Sequence, residues 1–170
     1  MAKLNWIKKQ QGQLLIEAMV AVSLMLVGLL GIFGVLSRSL GLSRVAADQF
    51  VAVNLASEGI EIAKNILDKN FLAVGASWNA GFFDGEEYYV DYRSEGLGDC
   101  TTDELYFTGQ GFYECNPVGN TKSKFKRVLE VAIKADGNMV AVKSTVNWTA
   151  RGGLNSDVTV EDHFYNWRKP

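Results

Sequence analysis

Gln13–Leu36 reads QLLIEAMVAVSLMLVGLLGIFGVL, and Glu17 is its one ionisable residue. A helix needs about 20 consecutive apolar residues to cross a bilayer, and Leu14–Leu36 meets that length. Lys3, Lys8 and Lys9 precede the run, with no acid among them. Basic residues on one flank hold that flank in the cytoplasm, so the body that follows is expected outside it. The hydrophobic residues, 48% of the chain, are therefore unevenly placed, and the sequence after Leu36 reads as ordinary soluble protein.

Residues 1–12, MAKLNWIKKQQG, are short, basic and polar. A secretory signal places its apolar core before a small-residue cleavage point. Here Gly12 precedes the core. A cut after Gly12 would leave the hydrophobic segment on the mature chain as an anchor. It would also free the α-amino group of Gln13, one helical turn from Glu17. A carboxylate at the entry to an apolar span costs a few kcal/mol unless it is paired or protonated. That amine, from the same chain or a neighbouring one, is the partner expected for Glu17, and only one axial stagger of neighbours would satisfy both charges.

Beyond Leu36 the helical pattern becomes amphipathic. Leu42, Ala46, Gln49, Val53, Ala56, Ile60, Ala63 and Leu67 form one stripe, with Arg44, Asp48, Ser57, Glu61 and Lys64 opposite. One helix is expected from about Leu14 to Asp68. Its stripe is thin, with three alanines and Gln49, which suits packing on a sheet better than a coiled coil. Gly28, Gly31 and Gly34 recur on one side and would let another helix approach closely. Residues 70–83 read as a loop. Strands are expected over Glu87–Arg93, Leu105–Phe107, Arg127–Ala135, Met139–Thr149 and Asp157–Phe164. Asp136-Gly137 is a hairpin signal and Gly152-Gly153 a further turn. The last three strands make an antiparallel meander, ending in Asn166-Trp167-Arg168.

The expected fold class is α+β: a long N-terminal hydrophobic helix packed on a C-terminal antiparallel sheet. The divisions are 1–12 as leader, 13–36 as transmembrane or filament-core helix, 37–68 as the amphipathic second half, and 69–170 as a β-rich globular part.

Net charge is −2; without residues 1–12 and their three lysines, 14 basic residues face 19 acidic, about −5. A mildly acidic body argues against a nucleic-acid surface. Lys122, Lys124, Lys126 and Arg127 are a local basic run, read as a solvated loop. Cys100 and Cys115 are a candidate disulfide in an exported domain, alternatively two free thiols or two members of a metal site. The metal alternative lacks further ligands, since His163 is the only histidine and no CxxC occurs. His163 alone supports no nucleophile–base pair and reads as an edge-strand residue. Glu86-Glu87 and Asp103-Glu104 are adjacent acids that point apart in a strand. A calcium site around Asp84, Asp99 and Asp103 is a weak alternative, and the Asn147-Trp148-Thr149 sequon lies on a strand. No catalytic residue, metal, cofactor, small-molecule ligand or enzymatic activity is expected.

The leader ending in K-K-Q-Q-G, the start Q-L-L-I-E-A-M-V-A-V and the apolar span resemble the class III signal of type IV prepilins and type II secretion pseudopilins. The resemblance is carried by Lys8–Leu36, with Glu17 at the fifth mature position. It implies cleavage between Gly12 and Gln13 by a prepilin peptidase and N-methylation of Gln13. Glu17 would serve assembly and register, and other pilin subunits would pack through their N-terminal helices. It also implies an inner-membrane assembly platform as partner. The single-pass precursor would stand in the inner membrane, and the assembled subunit in a pilus at the cell surface. Gln13 stands where the family usually has Phe, which bears on methylation more than on cleavage. Gly34 stands where many major pilins have Pro. E-A-M-V-A-V-S-L-M-L-V-G-L-L-G-I is more similar to minor pilins of the PilV type, or to the related pseudopilins. The expected function is that of a minor pilin that primes or modifies pilus assembly. A type II secretion or competence pseudopilin, and a signal-anchored extracytoplasmic binding domain that does not polymerise, are the alternatives.

Overall fold

The apolar run and the amphipathic run that follows it form a single helix, α1, Leu4–Leu72. The computed structural model describes residues 4–150 and 152–167, with side chains from residue 12 onward. Lys3, the side chains of Lys8 and Lys9, and Arg168 lie outside the described residues. Helix α1 ends one turn later than its sequence suggests. Asn70 donates to the Ala80 carbonyl (2.8 Å), and the Phe71 ring stacks on Trp78 with centroids 5.6 Å apart, so the following loop holds the last turn. Lys69 in that turn favours the negative end of the helix dipole.

Six strands follow: β1 Glu87–Tyr88, β2 Glu104–Phe107, β3 Tyr113–Glu114, β4 Thr121–Ile133, β5 Met139–Thr149 and β6 Asn155–Tyr165. They form one antiparallel sheet in the order β3-β2-β4-β5-β6, with β1 also paired to β4. The architecture is α+β, one long helix and one antiparallel sheet, as expected. The chain divides between Ala46 and Ala47, within α1, into two units.

In the second unit, Ala52, Leu55, Ala56, Ile60, Ala63, Ile66 and Leu67 of α1 are buried. They meet Leu129, Val131, Val140 and Val142 at one end of the sheet, and Leu105, Phe125, Val146 and Trp148 at the other. Ala56, Ile60, Ala63 and Leu67 belong to the expected stripe. Leu42, Ala46, Gln49 and Val53 do not join it and are exposed. Between the two clusters Gly59 lies hard against the sheet, where a Cβ would lie 2.5 Å from Ser144 Oγ.

Two strand expectations are corrected. Glu87–Arg93 pairs only at Glu87 and Tyr88. Beyond them Asp91 turns the chain: its Oδ1 accepts the Arg93 N–H (2.9 Å), and the Asp91 N–H donates to Ser94 Oγ (2.9 Å). Such local bonds compete with a ladder. The second correction concerns Lys122–Arg127, which lie on β4 rather than in a loop. The lysines alternate with Phe125 and Arg127, and only the latter two are buried. The β4–β5–β6 meander is as expected, with the Asp136-Gly137 turn closed by Gly137 N to Lys134 O (2.8 Å). Gly137 has φ 67°, a conformation that glycine adopts without steric cost.

Candidate functional site

Every large apolar side chain from Leu14 to Leu36 is exposed, for example Leu15 at 65% and Leu30 at 71%. Burying one such side chain stabilises by about 1.5–3 kcal/mol, so the row together represents tens of kcal/mol of unmet burial. The most apolar window has a mean hydropathy of 2.6, and the helix is long and apolar enough to cross a membrane. Gly12, Gln13 and Glu17 all lie on α1 and are exposed. Gln13 and Glu17 are four residues apart, hence on one helix face. Glu17 makes no hydrogen bond or ion pair among the described residues. Gly28 and Gly31 floor a shallow apolar groove walled by Val27, Ile32, Val35 and Leu36. Nothing among the described residues lies within 4 Å of a Cβ placed on Gly28, Gly31 or Gly34.

Cys100 and Cys115 are joined, with Cα atoms 5.8 Å apart. The disulfide alternative thus holds over free thiols. Asp91 Oδ2 lies 3.2 Å from Cys115 Sγ and accepts the Cys115 N–H (3.1 Å). The three residues gather as metal ligands do, yet both sulfurs are used in the bond and neither is a thiolate. The carboxylates weighed for calcium serve elsewhere, each on its own partner. Asp84 accepts the Ile133 N–H (2.7 Å), and Asp99 accepts those of Glu95 and Gly96 (2.8 and 3.0 Å). Asp103 pairs with Lys126 at 3.1 Å. His163 lies on β6, at the sheet edge, with Nε2 3.0 Å from Glu161 Oε1. Asn147 of the sequon lies on β5, as expected.

Sequence reasoning placed Arg127 in the basic run and at a strand start but missed its burial. It is 1% exposed, and its guanidinium donates to Leu55 O (2.9 Å), Glu58 Oε1 (3.2 Å) and Val90 O (2.7 Å). Helix, sheet and the loop after β1 meet on this one cation. Burial pushes its pKa down, and the nearby Glu58 carboxylate opposes the shift. Its Nε and the neighbouring Ser144 Oγ are buried without a partner. The signal was in the sequence: Arg127 holds period two with Phe125, Leu129 and Val131, which is the pattern of a buried strand face.

The lysines of β4 are matched by acids. Lys122 Nζ lies 2.6 Å from Glu104 Oε1, and Tyr106 donates its hydroxyl to Glu104 Oε2 at 2.9 Å. The Lys122 bond, aided by Tyr106, holds the Glu104 pKa below the usual carboxylate value. Lys124 pairs with Asp48 of α1. The run is thus largely neutralised rather than a basic patch.

The chain was compared with protein-family models, with curated proteins and with solved structures, and gives no match in any of the three.

Proposed function

We propose that this chain is a minor type IV pilin, a structural subunit rather than an enzyme. The precursor sits in the inner membrane as a single-pass protein, its sheet-bearing part outside the cytoplasm. Prepilin peptidase cuts it between Gly12 and Gln13, and Gln13 is the residue open to N-methylation. The mature subunit then passes to the assembly platform and joins other pilins through α1 in a filament at the cell surface, where it helps prime or modify assembly.

Glu17 carries this reading. It is a carboxylate with no partner among the described residues, set among exposed Leu14, Leu15, Ile16 and Met19. A plain membrane anchor gains nothing from such a group and loses a few kcal/mol by it. The amine freed at Gln13, protonated at neutral pH with an ordinary pKa of about 7.7–8.0, is the natural counter-charge. Supplied by a neighbouring subunit, it would fix the stagger between helices.

N-terminal mass analysis of the native protein tests the cut and the methylation together. Gly12→Leu is expected to leave an unprocessed precursor in the membrane. Glu17→Val is expected to be processed normally and yet be depleted at least tenfold from sheared filaments. A Gln13 N-terminus on Gly12→Leu, or normal incorporation of Glu17→Val, sinks the assignment. Loss of protein secretion with pili intact, on deletion of the chain, would point instead to a secretion pseudopilus.

A further inference from the structure

Strand β6 is the last strand of the sheet, and its register with β5 runs unbroken from Asn155 to Tyr165. The bonds at its two ends show which backbone groups face inward. Asn166 N donates to Asn138 O at one end, and Ala150 N donates to Leu154 O at the other. Even-numbered residues therefore bond to β5, and in an antiparallel pair the alternate residues point their N–H and C=O away. On β6 these are Asn155, Asp157, Thr159, Glu161, His163 and Tyr165.

The upper end of that outer edge is closed within the chain. The His163 N–H is taken by Asp162 Oδ1 at 2.8 Å, and Tyr165 O accepts the Trp167 N–H at 2.9 Å. From Asn155 to Glu161 the edge is open among the described residues. Proteins blunt such an edge with charged side chains, which this strand carries at Asp157 and Glu161, or with proline, a bulge or shortness. This stretch has no proline, no bulge and a full ladder on its inner side.

Side chains give the open stretch a specificity. Val158 and Val160 face the helix side and are only partly buried there. Asp157 and Glu161 face the opposite side, four residues apart. Asp157 makes no ion pair among the described residues; Glu161 Oε1 lies 3.0 Å from His163 Nε2 on its own strand, and Lys143, opposite Glu161, makes its ion pair with Glu130 at 3.9 Å. A second copy of β6 paired antiparallel about Thr159 would set Asp157 against Glu161 twice, and like charges directly opposite are destabilising.

We propose that the Asn155–Glu161 edge of β6 accepts a strand from a different protein, one with two basic residues four apart that enclose apolar residues on the alternate face. Backbone bonds supply the attraction and the charges select the partner, as in other strand additions. The bases would lie opposite Asp157 and Glu161. The apolar residues would extend the layer begun by Val158 and Val160 over the helix side.

The probe is the blocked peptide Thr-Lys-Val-Thr-Val-Lys-Thr, added to the full chain in detergent micelles and followed by amide exchange. Slowing of at least tenfold is expected at Asp157, Thr159 and Glu161, with no change at Val158 and Val160, whose amides already bond to β5. A scrambled peptide of the same composition should give none of it. Thr159→Pro should lower the thermal unfolding midpoint only slightly, because that N–H faces outward and the bond lost is the exposed Thr145–Thr159 hydroxyl contact at 3.0 Å, and should abolish the slowing at Asp157 and Glu161. If Thr159→Pro fails to fold, the pair Asp157→Lys with Glu161→Lys replaces it and should transfer preference to the glutamate version of the peptide. Equal slowing by the scrambled peptide overturns the proposal. So does slowing confined to other strands, or peptide-free slowing that grows with protein concentration, which would mean self-pairing.

Discussion

Arg127 holds three acceptors from two other parts of the chain, Leu55 O and Glu58 on α1 and Val90 O after β1. Truncation to Ala leaves a void and at least one buried carbonyl without a donor. The Glu58 side chain is 34% exposed and can be resolvated, so the cost is mainly that of the lost packing and the orphaned carbonyl, about 2–5 kcal/mol. Arg127→Met fills the space and removes the buried charge, so its cost is that of the orphaned acceptors, about 1–3 kcal/mol. Urea unfolding of the full chain should rank them Ala, then Met, then the parent. A Met variant as unstable as Ala would mean that the charge matters more than the packing. Gly59 makes a second residue-scale case. Ala is the better helix former by about 1 kcal/mol, yet its Cβ would meet Ser144 Oγ at 2.5 Å, Leu129 Cδ1 at 3.1 Å and Arg127 Cδ at 3.2 Å. Overpacking of this kind costs about 1–3 kcal/mol, so Gly59→Ala is expected to destabilise. Ser144→Ala removes a hydroxyl that has no partner and should be close to neutral. A double-mutant cycle should show that it relieves part of the Gly59→Ala cost.

Among the elements, β4 taught most about what the sequence makes legible. Met139–Thr149 was readable because Val140, Val142, Val146 and Trp148 alternate with more polar or smaller residues just after the Asp136-Gly137 turn. The first half of β4 was not, because its lysines weigh more in a local window than the buried Phe125 and Arg127 between them. Their solvation is met by acids distant in sequence, Asp48, Asp103 and Glu104, and single-strand pattern reading does not see partners. Likewise Glu87–Arg93 has strand composition, but the capping chemistry of Asp91 overrides it. The Lys122–Glu104 pair links β2 to β4 and carries a pH signature. The folded pKa of Glu104 is lowered, so its contribution is full above the ordinary glutamate value of about 4.3. It is lost as pH falls through the lower, folded value. Thermal midpoints of the parent and Glu104→Gln should therefore differ at pH 7 and converge in acid. A gap that widens in acid would contradict the shift.

For the whole molecule, the apolar span was the most legible feature, since its length and single charge need no tertiary context. From Leu14 to Val45 the large apolar side chains are exposed, whereas the second unit of the chain buries a core between α1 and the sheet. A bilayer-resident span tolerates no new charge at its centre, where Arg costs about 2.5–3.5 kcal/mol on insertion scales. Val27→Arg is thus expected to shift the chain from the carbonate-resistant membrane fraction toward the soluble or degraded pool; unchanged retention would argue against a spanning segment. The joint between α1 and the sheet has one further consequence, a mechanical one. Among the described residues the only disulfide is Cys100–Cys115, and neither of its ends is on α1. Besides the chain that leads from Leu72 to β1, tension applied along α1 would reach the sheet through the Ala52–Leu67 packing, the Arg127 bonds and surface ion pairs, none of them covalent. Under a pulling force that seam is expected to yield before the cross-linked loop does. Reducing agents would then leave the rupture force of the first event unchanged while lengthening the chain released after it.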